Sequence, residues 1–279
     1  MTWRAPAKLN LFLRVLGRRT DGYHDIFSLM QKISLFDELI FEPRPREITI
    51  KCPNSDLPLN EDNLVFRAAR IIFDYANYSS GMEITLNKQI PLASGLGGGS
   101  SDAATTLMAL NEICSLGLQK KELMQLGAKL GADVPFFIFG NSAFAWGIGD
   151  KLKTCKNLPK LHFVLINPQF PLSTKTVYEN LNLRLTSEKI NYSIPRLWSL
   201  SDVAQELHND LEEVSIKMHP ELGDLKQILL RHGALGALMS GSGPTVFGIY
   251  SDEKSARDAS LAIAKEVYGR HMVFFACSL

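Results

Sequence analysis

The clearest chemistry in the sequence lies in one run, KQIPLASGLGGGSSDAATTL, at residues 88–107. Alternating residues before it read as a strand, and the alanine-rich stretch after it reads as a helix. A glycine-rich loop feeding a helix N-terminus is a site for an anion. Glycines let the backbone approach closely, the unpaired N–H groups of the first turn point outward, and the helix dipole favours negative charge. Residues 95–101 (GLGGGSS) are therefore read as a phosphate cradle, with Ser100 and Ser101 able to cap the helix and to donate hydroxyl hydrogen bonds. Two better-known phosphate loops are excluded. There is no GxxxxGK[ST], and Gly95, Gly97 and Gly99 give GxGxG rather than GxGxxG. The plain alternative, a flexible linker, fits poorly between a strand and a helix.

Asp133, in GADVPFF at 131–137, is a candidate general base for an attacking hydroxyl. Its alternative role is to cap a short helix begun at Pro135. Lys8 sits among alternating apolar residues at the start of a strand, where an ammonium needs a carboxylate or phosphate partner. The alternative is a lysine that snorkels to the surface. Lys8 and Asp133 would form an acid/base pair if the fold joined them, which the sequence alone does not show. Asp21, Gly22, Tyr23 and His24 are a further candidate, or else a turn followed by a packed aromatic. MSGSGPTVF at 239–247 is a second glycine-rich turn. It is either a tight hairpin or, at Gly241 and Ser242, a second backbone lining for an anionic substrate. The six histidines lack HxxxH-like spacing, and Cys52, Cys114, Cys155 and Cys277 form no CxxC, so neither set predicts a metal site. No Ser/His/Asp order or nucleophile elbow is present.

Periodicity gives the elements that must position these residues. Residues 8–15 alternate, with Lys8, Asn10 and Phe12 on one side and Leu9, Leu11 and Leu13 on the other, as in a strand with one face on a core. Residues 18–22 (RRTDG) are turn chemistry. Strands are expected at 28–41, 47–52 and 82–86. Helices are expected at 63–76 with Asn63 as N-cap, from 102 to a stop at Gly117, and at 119–130. Then come a strand at 161–166, a polar helical region over 174–218 and a helix at 220–232. Strands at 234–240 and 245–250, a helix at 253–268 and a strand at 271–276 complete the chain. That βα…αββαβ order resembles a split βαβ, ferredoxin-like unit. It places a domain boundary near 150–160, giving domains 1–155 and 156–279.

Bulk composition narrows the function classes. Hydrophobic residues make up 46% and charged residues 21% of the 279, an ordinary globular balance that argues against long disorder. The formal net charge is +1, without the basic footprint of a nucleic-acid binder; the one basic cluster is Arg14, Arg18 and Arg19. No apolar run reaches the ~18 residues of a membrane span. The apolar start is interrupted by Asn10 and Arg14, so it reads as a first strand and not as a signal peptide. Reduced cysteines and a cytoplasmic location are expected.

Taken together, these residues resemble the GHMP kinases, in which a P-x-x-x-G-L-G-S-S-type loop binds ATP and a late G-x-G turn packs close to it. The set PAKLNLFL at 6–13, RRTDGYH at 18–24, DNLVFRAAR at 62–70, IPLASGLGGGSSDAATTL at 90–107, GADVPFF at 131–137, NDLE at 209–212 and MSGSGPTVF at 239–247 is similar to one branch of that superfamily. That branch acts on a cytidine diphosphate-linked methylerythritol. The resemblance implies an α+β, two-domain fold, with an N-terminal domain like ribosomal protein S5 domain 2 and a ferredoxin-like C-terminal domain. It makes Lys8 and Asp133 catalytic. It puts Pro91, Leu92, Ala93, Ser94, Gly95, Leu96, Gly97, Gly98, Gly99, Ser100 and Ser101 on ATP, with Asn63 at the adenine side and Lys88 near the nucleotide. Mg²⁺ accompanies ATP, with no carboxylate marked as its ligand. Asn10, Gly241 and Ser242 contact substrate. Tyr23 and His24 form a cytidine pocket, where an aromatic stacks on cytosine and His24 reads its edge, and Thr174 and Tyr178 complete it.

In that scheme Asp133 takes the proton of the erythritol 2-hydroxyl, and Lys8 steadies Asp133 and the developing alkoxide. The implied partner is a small-molecule substrate, with no nucleic acid or membrane, and the chain is a monomer or weak homodimer. Three rivals remain. RRTDGYH argues against a mevalonate or homoserine type of GHMP kinase. Retention of both Lys8 and Asp133 argues against a catalytically dead nucleotide-binding regulator. Near-zero net charge argues against an RNA-binding protein, which only the S5-like half suggests.

Overall fold

The computed structural model describes residues 1–181, 194, 195, 197 and 199–279. Two long strands open the chain, β1 (Thr2–Arg18) and β2 (His24–Arg44), followed by β3 (Ile48–Lys51), helix α1 (Leu64–Ala76) and β4 (Gly81–Asn87). Three helices follow, α2 (Gly98–Ile113), α3 (Lys120–Ala128) and α4 (Val134–Phe139), then a hairpin of β5 (Ala143–Gly147) and β6 (Lys151–Thr154). Next are β7 (His162–Asn167), α5 (Thr174–Glu179), α6 (Leu200–Gln205), β8 (His208–Asn209) and α7 (Glu212–Met218). The chain closes with α8 (Glu221–Arg231), β9 (Gly236–Met239), β10 (Val246–Tyr250), α9 (Glu253–Glu266) and β11 (Met272–Cys277). Among the described residues no helix is long and apolar enough to cross a membrane.

By proximity the chain divides into two compact units. One holds Met1–Ala7, Phe36–Ile90 and Gly97–Asn141; the other holds Lys8–Leu35, Pro91–Leu96 and Ser142–Leu279. In the first unit, β4 pairs in parallel with β3 and antiparallel with the second half of β2, so that Ile84 faces Ile50 on one side and Phe41 on the other. Helix α1 buries Val65, Ala68, Ala69, Ile72 and Phe73, the single face expected of helical spacing. Helix α2 is buried nearly all round and takes Ser101, Asp102, Thr105 and Thr106 inside with its alanines and leucines.

The second unit contains a four-stranded antiparallel sheet in the order β11-β7-β10-β9. With α8 and α9 interposed in sequence, this is the split βαβ order that the sequence suggests. Every residue of β7 is buried, and Val164, Ile166, Val246 and Tyr250 pack with Leu222, Leu225 and Leu229 of α8 and Ala256, Ala259 and Ile263 of α9. In the same unit, β1 runs parallel to β8, Phe12 opposite His208, and β2 pairs with β5 over residues 26–30.

Several expectations are corrected. The strand read at 8–15 spans Thr2–Arg18 and is covered on both faces, since Lys8, Asn10 and Phe12 are as buried as Leu9, Leu11 and Leu13. Helix α2 starts at Gly98, four residues before position 102, because Gly97 takes the left-handed N-cap conformation at φ 71°. Ser100 and Ser101 therefore lie inside the helix, and the N-cap has no side-chain hydrogen bond. The helix ends at Ile113 and not at Gly117, with Ser115 and Gly117 both at positive φ. The short β5 and β6 were not expected. The helical reading of 174–218 falls partly on 182–193, 196 and 198, outside the described residues; the described remainder is α5, α6 and α7, broken by β8.

Asn63 does cap α1. Its Oδ1 accepts from Val65 N at 2.9 Å, and its Nδ2 donates to Pro58 O at 2.8 Å. Asn63→Ala should cost about 1–2 kcal/mol in urea denaturation. Asn63→Asp, which keeps the acceptor, should cost less; equal losses would show that capping is not what Asn63 contributes.

Candidate functional site

In the second unit, Lys8 and Asn10 both point from β1 into a buried polar cluster. Lys8 is only 4% exposed, and its Nζ donates to Asn10 Oδ1 at 2.5 Å. The rest of the cluster fixes which way the Asn10 amide faces. Ser28 Oγ gives its one proton to Phe12 O at 2.6 Å, so it must accept from Asn10 Nδ2 at 2.8 Å. That leaves Oδ1 turned to the ammonium. Lys8 N also donates to Leu96 O at 2.9 Å, which pins the start of the strand to the glycine loop.

The late glycine turn closes around the same residues. A β-carbon on Gly241 would lie 3.2 Å from Gly95 O, 3.3 Å from Lys8 Nζ and 3.4 Å from Asn10 Oδ1. Asn209 holds this turn in place: its Nδ2 donates to Met239 O and Gly241 O at 2.8 and 2.7 Å, and its Oδ1 accepts from Leu211 N. Ser242 Oγ lies 2.7 Å from Thr174 Oγ1. Three residues beyond Ser242, Thr245 N donates to Ser94 O at 3.3 Å. Thus Lys8, Asn10, Ser94, Gly95, Leu96 and Gly241 are one assembly, with Thr174 joined to it through Ser242.

The RRTDGYH turn is held by its own charges. Arg19 pairs with Asp21 and Asp25, and Asp21 Oδ1 accepts from Tyr23 N. Tyr23 projects outward, 58% exposed. The ring of His24 stacks on that of Tyr178, centroids 4.7 Å apart and tilted by 29°. Burial, helped by the Arg18 charge, holds His24 below the usual imidazole range, so the ring is neutral at pH 7.

In the first unit, the glycine run enters α2. Ser101 N donates to Gly97 O at 2.9 Å, the first bond of the helix, so the N–H groups of Gly98, Gly99 and Ser100 precede the helical ladder. No acidic residue occupies that first turn. Asp133 sits at the N-cap position of α4, half-buried, with Pro135 in the first turn. Its side chain makes no capping bond, so the capping alternative is not realised. The neighbouring Gly131 lies close to α2: a β-carbon there would be 3.7 Å from Ser100 Oγ.

Lys88 is committed to two carboxylates. Its Nζ donates to Asp102 Oδ2 at 2.8 Å and makes a shorter bond to Asp37 Oδ2. Asp37, fully buried, also accepts from Gln89 N and Ile90 N through Oδ1 at 2.6 and 2.8 Å. Asp102 is less well served: its Oδ1, together with Ser101 Oγ and Thr105 Oγ1, is buried without a partner. Sequence reasoning missed Ser28, Asn209, Asp37 and Asp102. A lone aspartate within the apolar run LFDELIF, and Asn209 within NDLE, were the available signals.

Comparison with known proteins follows the same lines. Residues 63–141 match the GHMP kinases N terminal domain and residues 197–269 the GHMP kinases C terminal. A 4-diphosphocytidyl-2-C-methyl-D-erythritol kinase of Syntrophus aciditrophicus is 57% identical over 261 residues, 94% of each chain. One from Syntrophotalea carbinolica is 51% identical, covering 92% of this chain and 91% of the relative. The crystal structure of a 4-(cytidine 5'-diphospho)-2C-methyl-D-erythritol kinase superposes with a TM-score of 0.84 at 35% identity, covering 100% of both chains. A homoserine kinase from Cytophaga hutchinsonii, at 20% identity and TM-score 0.71 over 100% of this chain and 94% of its own, shares the fold.

The buried ion cluster has a pH signature. Burial pushes the Asp102 carboxyl up to about 8 against the pull of Lys88, and the Asp37 charge adds to the rise. Burial opposes the Lys88 charge, yet Asp102 and Asp37 together hold the ammonium above its usual range. The folded chain therefore keeps a proton on Asp102 that the unfolded chain releases near 3.8. Folded protein binds more protons between these values, so this group makes stability fall as pH rises from about 4 to about 8. Urea midpoints at pH 5 and pH 8 should differ less in Asp102→Asn than in the parent. An unchanged difference would remove Asp102 as the cause.

Proposed function

The chain belongs to the GHMP kinases and, within them, to the 4-diphosphocytidyl-2-C-methyl-D-erythritol kinases; from that membership we propose that it moves the γ-phosphoryl group of ATP to the 2-hydroxyl of 4-diphosphocytidyl-2-C-methyl-D-erythritol, in the non-mevalonate route to isoprenoid precursors. The observation that carries this reading is 57% identity over 94% of both chains. It is an ATP-dependent small-molecule kinase, and the residue roles below extend that assignment.

Phosphoryl transfer asks a protein mainly to position donor and acceptor and to neutralise charge. The unpaired N–H groups of Gly98, Gly99 and Ser100 suit the phosphates of ATP, supported by the α2 dipole and by a first turn without carboxylates. Residues 91–96 precede that turn in the chain, with Ser94 Oγ bonded to Pro91 O at 2.6 Å. Asn63, already capping α1, and Lys88, already paired, support the nucleotide side as structural posts. Bound with ATP, Mg²⁺ would supply further neutralisation of phosphate charge.

Asp133 is the proton acceptor for the substrate hydroxyl, a role supported by a carboxylate that does not cap its own helix. Lys8, oriented by the Asn10 amide, stabilises the developing alkoxide. The stacked rings of His24 and Tyr178 offer an aromatic face for cytosine. A neutral His24 brings one donor and one acceptor to the base edge. Tyr23, Gly241, Ser242 and Thr174 complete the substrate side. As folding halves we place the division at 155/156, between β6 and β7.

Asp133→Asn should lower turnover by roughly 10²–10⁴-fold while ATP binding persists; near-normal turnover would refute the role. A coupled assay should show ATP consumption with the cytidine diphosphate substrate and none with mevalonate or homoserine. Turnover with mevalonate alone would overturn the substrate assignment.

A further inference from the structure

The first residue of β7, His162, lies directly opposite the last residue of β11, Cys277. Opposed side chains on neighbouring strands stand roughly 5 Å apart at Cβ. Here the Cys277 thiol sulfur comes to 3.5 Å from His162 Nδ1. Glu253, which opens α9, brings a carboxylate to the same place, and one ligand atom from each of the three residues lies within 4.8 Å of the others. None of the three belongs to the phosphate loop or to the proposed substrate contacts.

The cluster is built into the sheet. Cys277 N donates to Ser34 Oγ at 2.8 Å, Ser278 N donates to Leu161 O at 2.9 Å, and Leu161 N donates to Ser278 Oγ at 2.9 Å. Asp252 caps α9 by accepting from Ser255 N at 2.8 Å, which fixes the residue after it, Glu253. Three separate elements thus hold a sulfur, an imidazole nitrogen and a carboxylate oxygen together without a covalent link.

The donor set and its spacing choose the ligand. Bonds of about 2.3 Å to sulfur and about 2.05 Å to nitrogen, at a tetrahedral angle, put those two atoms about 3.5 Å apart. That is the separation between Cys277 Sγ and His162 Nδ1. We infer that His162, Glu253 and Cys277 form a three-ligand site for a thiophilic divalent cation of the zinc type, with the fourth position open to water. It ties the C-terminal strand to β7 and to the start of α9.

The surrounding charges set the terms of binding. Glu253 and His162 themselves, with Lys160 and Arg257, face the thiol and the carboxylate. Burial, reinforced by Glu253, holds the Cys277 thiol above its usual range, so it enters the site protonated. Binding converts Cys277–SH to a metal-bound thiolate and releases one proton to solvent. The thiolate and carboxylate together then balance the dication. Arg257 is the competitor, since it reaches Glu253 Oε1 at 2.8 Å. It also lies 4.1 Å over the Phe275 ring and so keeps a partner when Glu253 turns to the cation.

The full chain, reduced and stripped with chelator, is titrated with Cd²⁺ and Co²⁺ while the thiolate-to-metal charge-transfer absorption is followed. One equivalent should saturate the band, with about one proton released per cation. Cys277→Ser should abolish the band and leave metal-free kinase turnover unchanged. Glu253→Gln, a surface change, should weaken binding by about 10-fold or more, and Arg257→Ala should tighten it. A band that persists in Cys277→Ser, an affinity unmoved by Glu253→Gln, or no band at millimolar cation would each overturn the proposal.

Discussion

At Gly95 two stretches of backbone meet so closely that a β-carbon would lie 2.1 Å from the Ser240 carbonyl oxygen. The residue also sits at φ 76°, where side chains other than hydrogen are strained. Much of the polar geometry of the second unit hangs on that contact. Ser240 Oγ donates to Gly95 O and accepts from Asn10 N, while Lys8 N bonds the adjoining Leu96. The glycines of the loop and of the late turn therefore do two things. Those of the loop leave N–H groups ahead of the α2 ladder, and those of both turns let distant segments lock together by main-chain contact, which sets where Lys8 and Asn10 stand.

The first unit handles buried charge differently. Lys88 lies between two carboxylates, and a lysine with one carboxylate is neutral as a pair. A proton on Asp102 adds no further negative charge. That matters because Asp102 follows closely on the turn whose N–H groups precede the helical ladder. An additional anion beneath a helix N-terminus would oppose any anion held there, whereas a proton-bearing carboxyl does not.

The sequence made the local chemistry legible and left the long-range chemistry hidden. The glycine loop, Asn63 as a cap and the order of elements after residue 160 depend on neighbours in the chain, so pattern was enough. The start of α2 was misread because glycine is a poor helix former, yet packing winds Gly98 and Gly99 into the helix regardless. The roles of Asp37 and Asn209 were not legible, because the partner of Asp37, Lys88, lies 51 residues away and the carbonyls that Asn209 holds lie 30 and 32 residues on. The histidines and cysteines showed no ligand spacing for the same reason: His162 and Cys277 are 115 residues apart and become neighbours only through strand pairing.

The hydrogen bond from Asn10 N to Ser240 Oγ spans 230 residues. During synthesis every residue of the first unit has been made once Asn141 is added, but the Lys8 cluster still waits for residues 142–241. At about 5–20 residues per second that interval lasts roughly 10 s. Throughout it the buried polar face of β1, with Lys8 and Asn10, has no late turn to close on it. The nascent chain thus carries the helix that follows the glycine loop well before it can assemble the lysine cluster, and chaperone dependence should be greatest in that window.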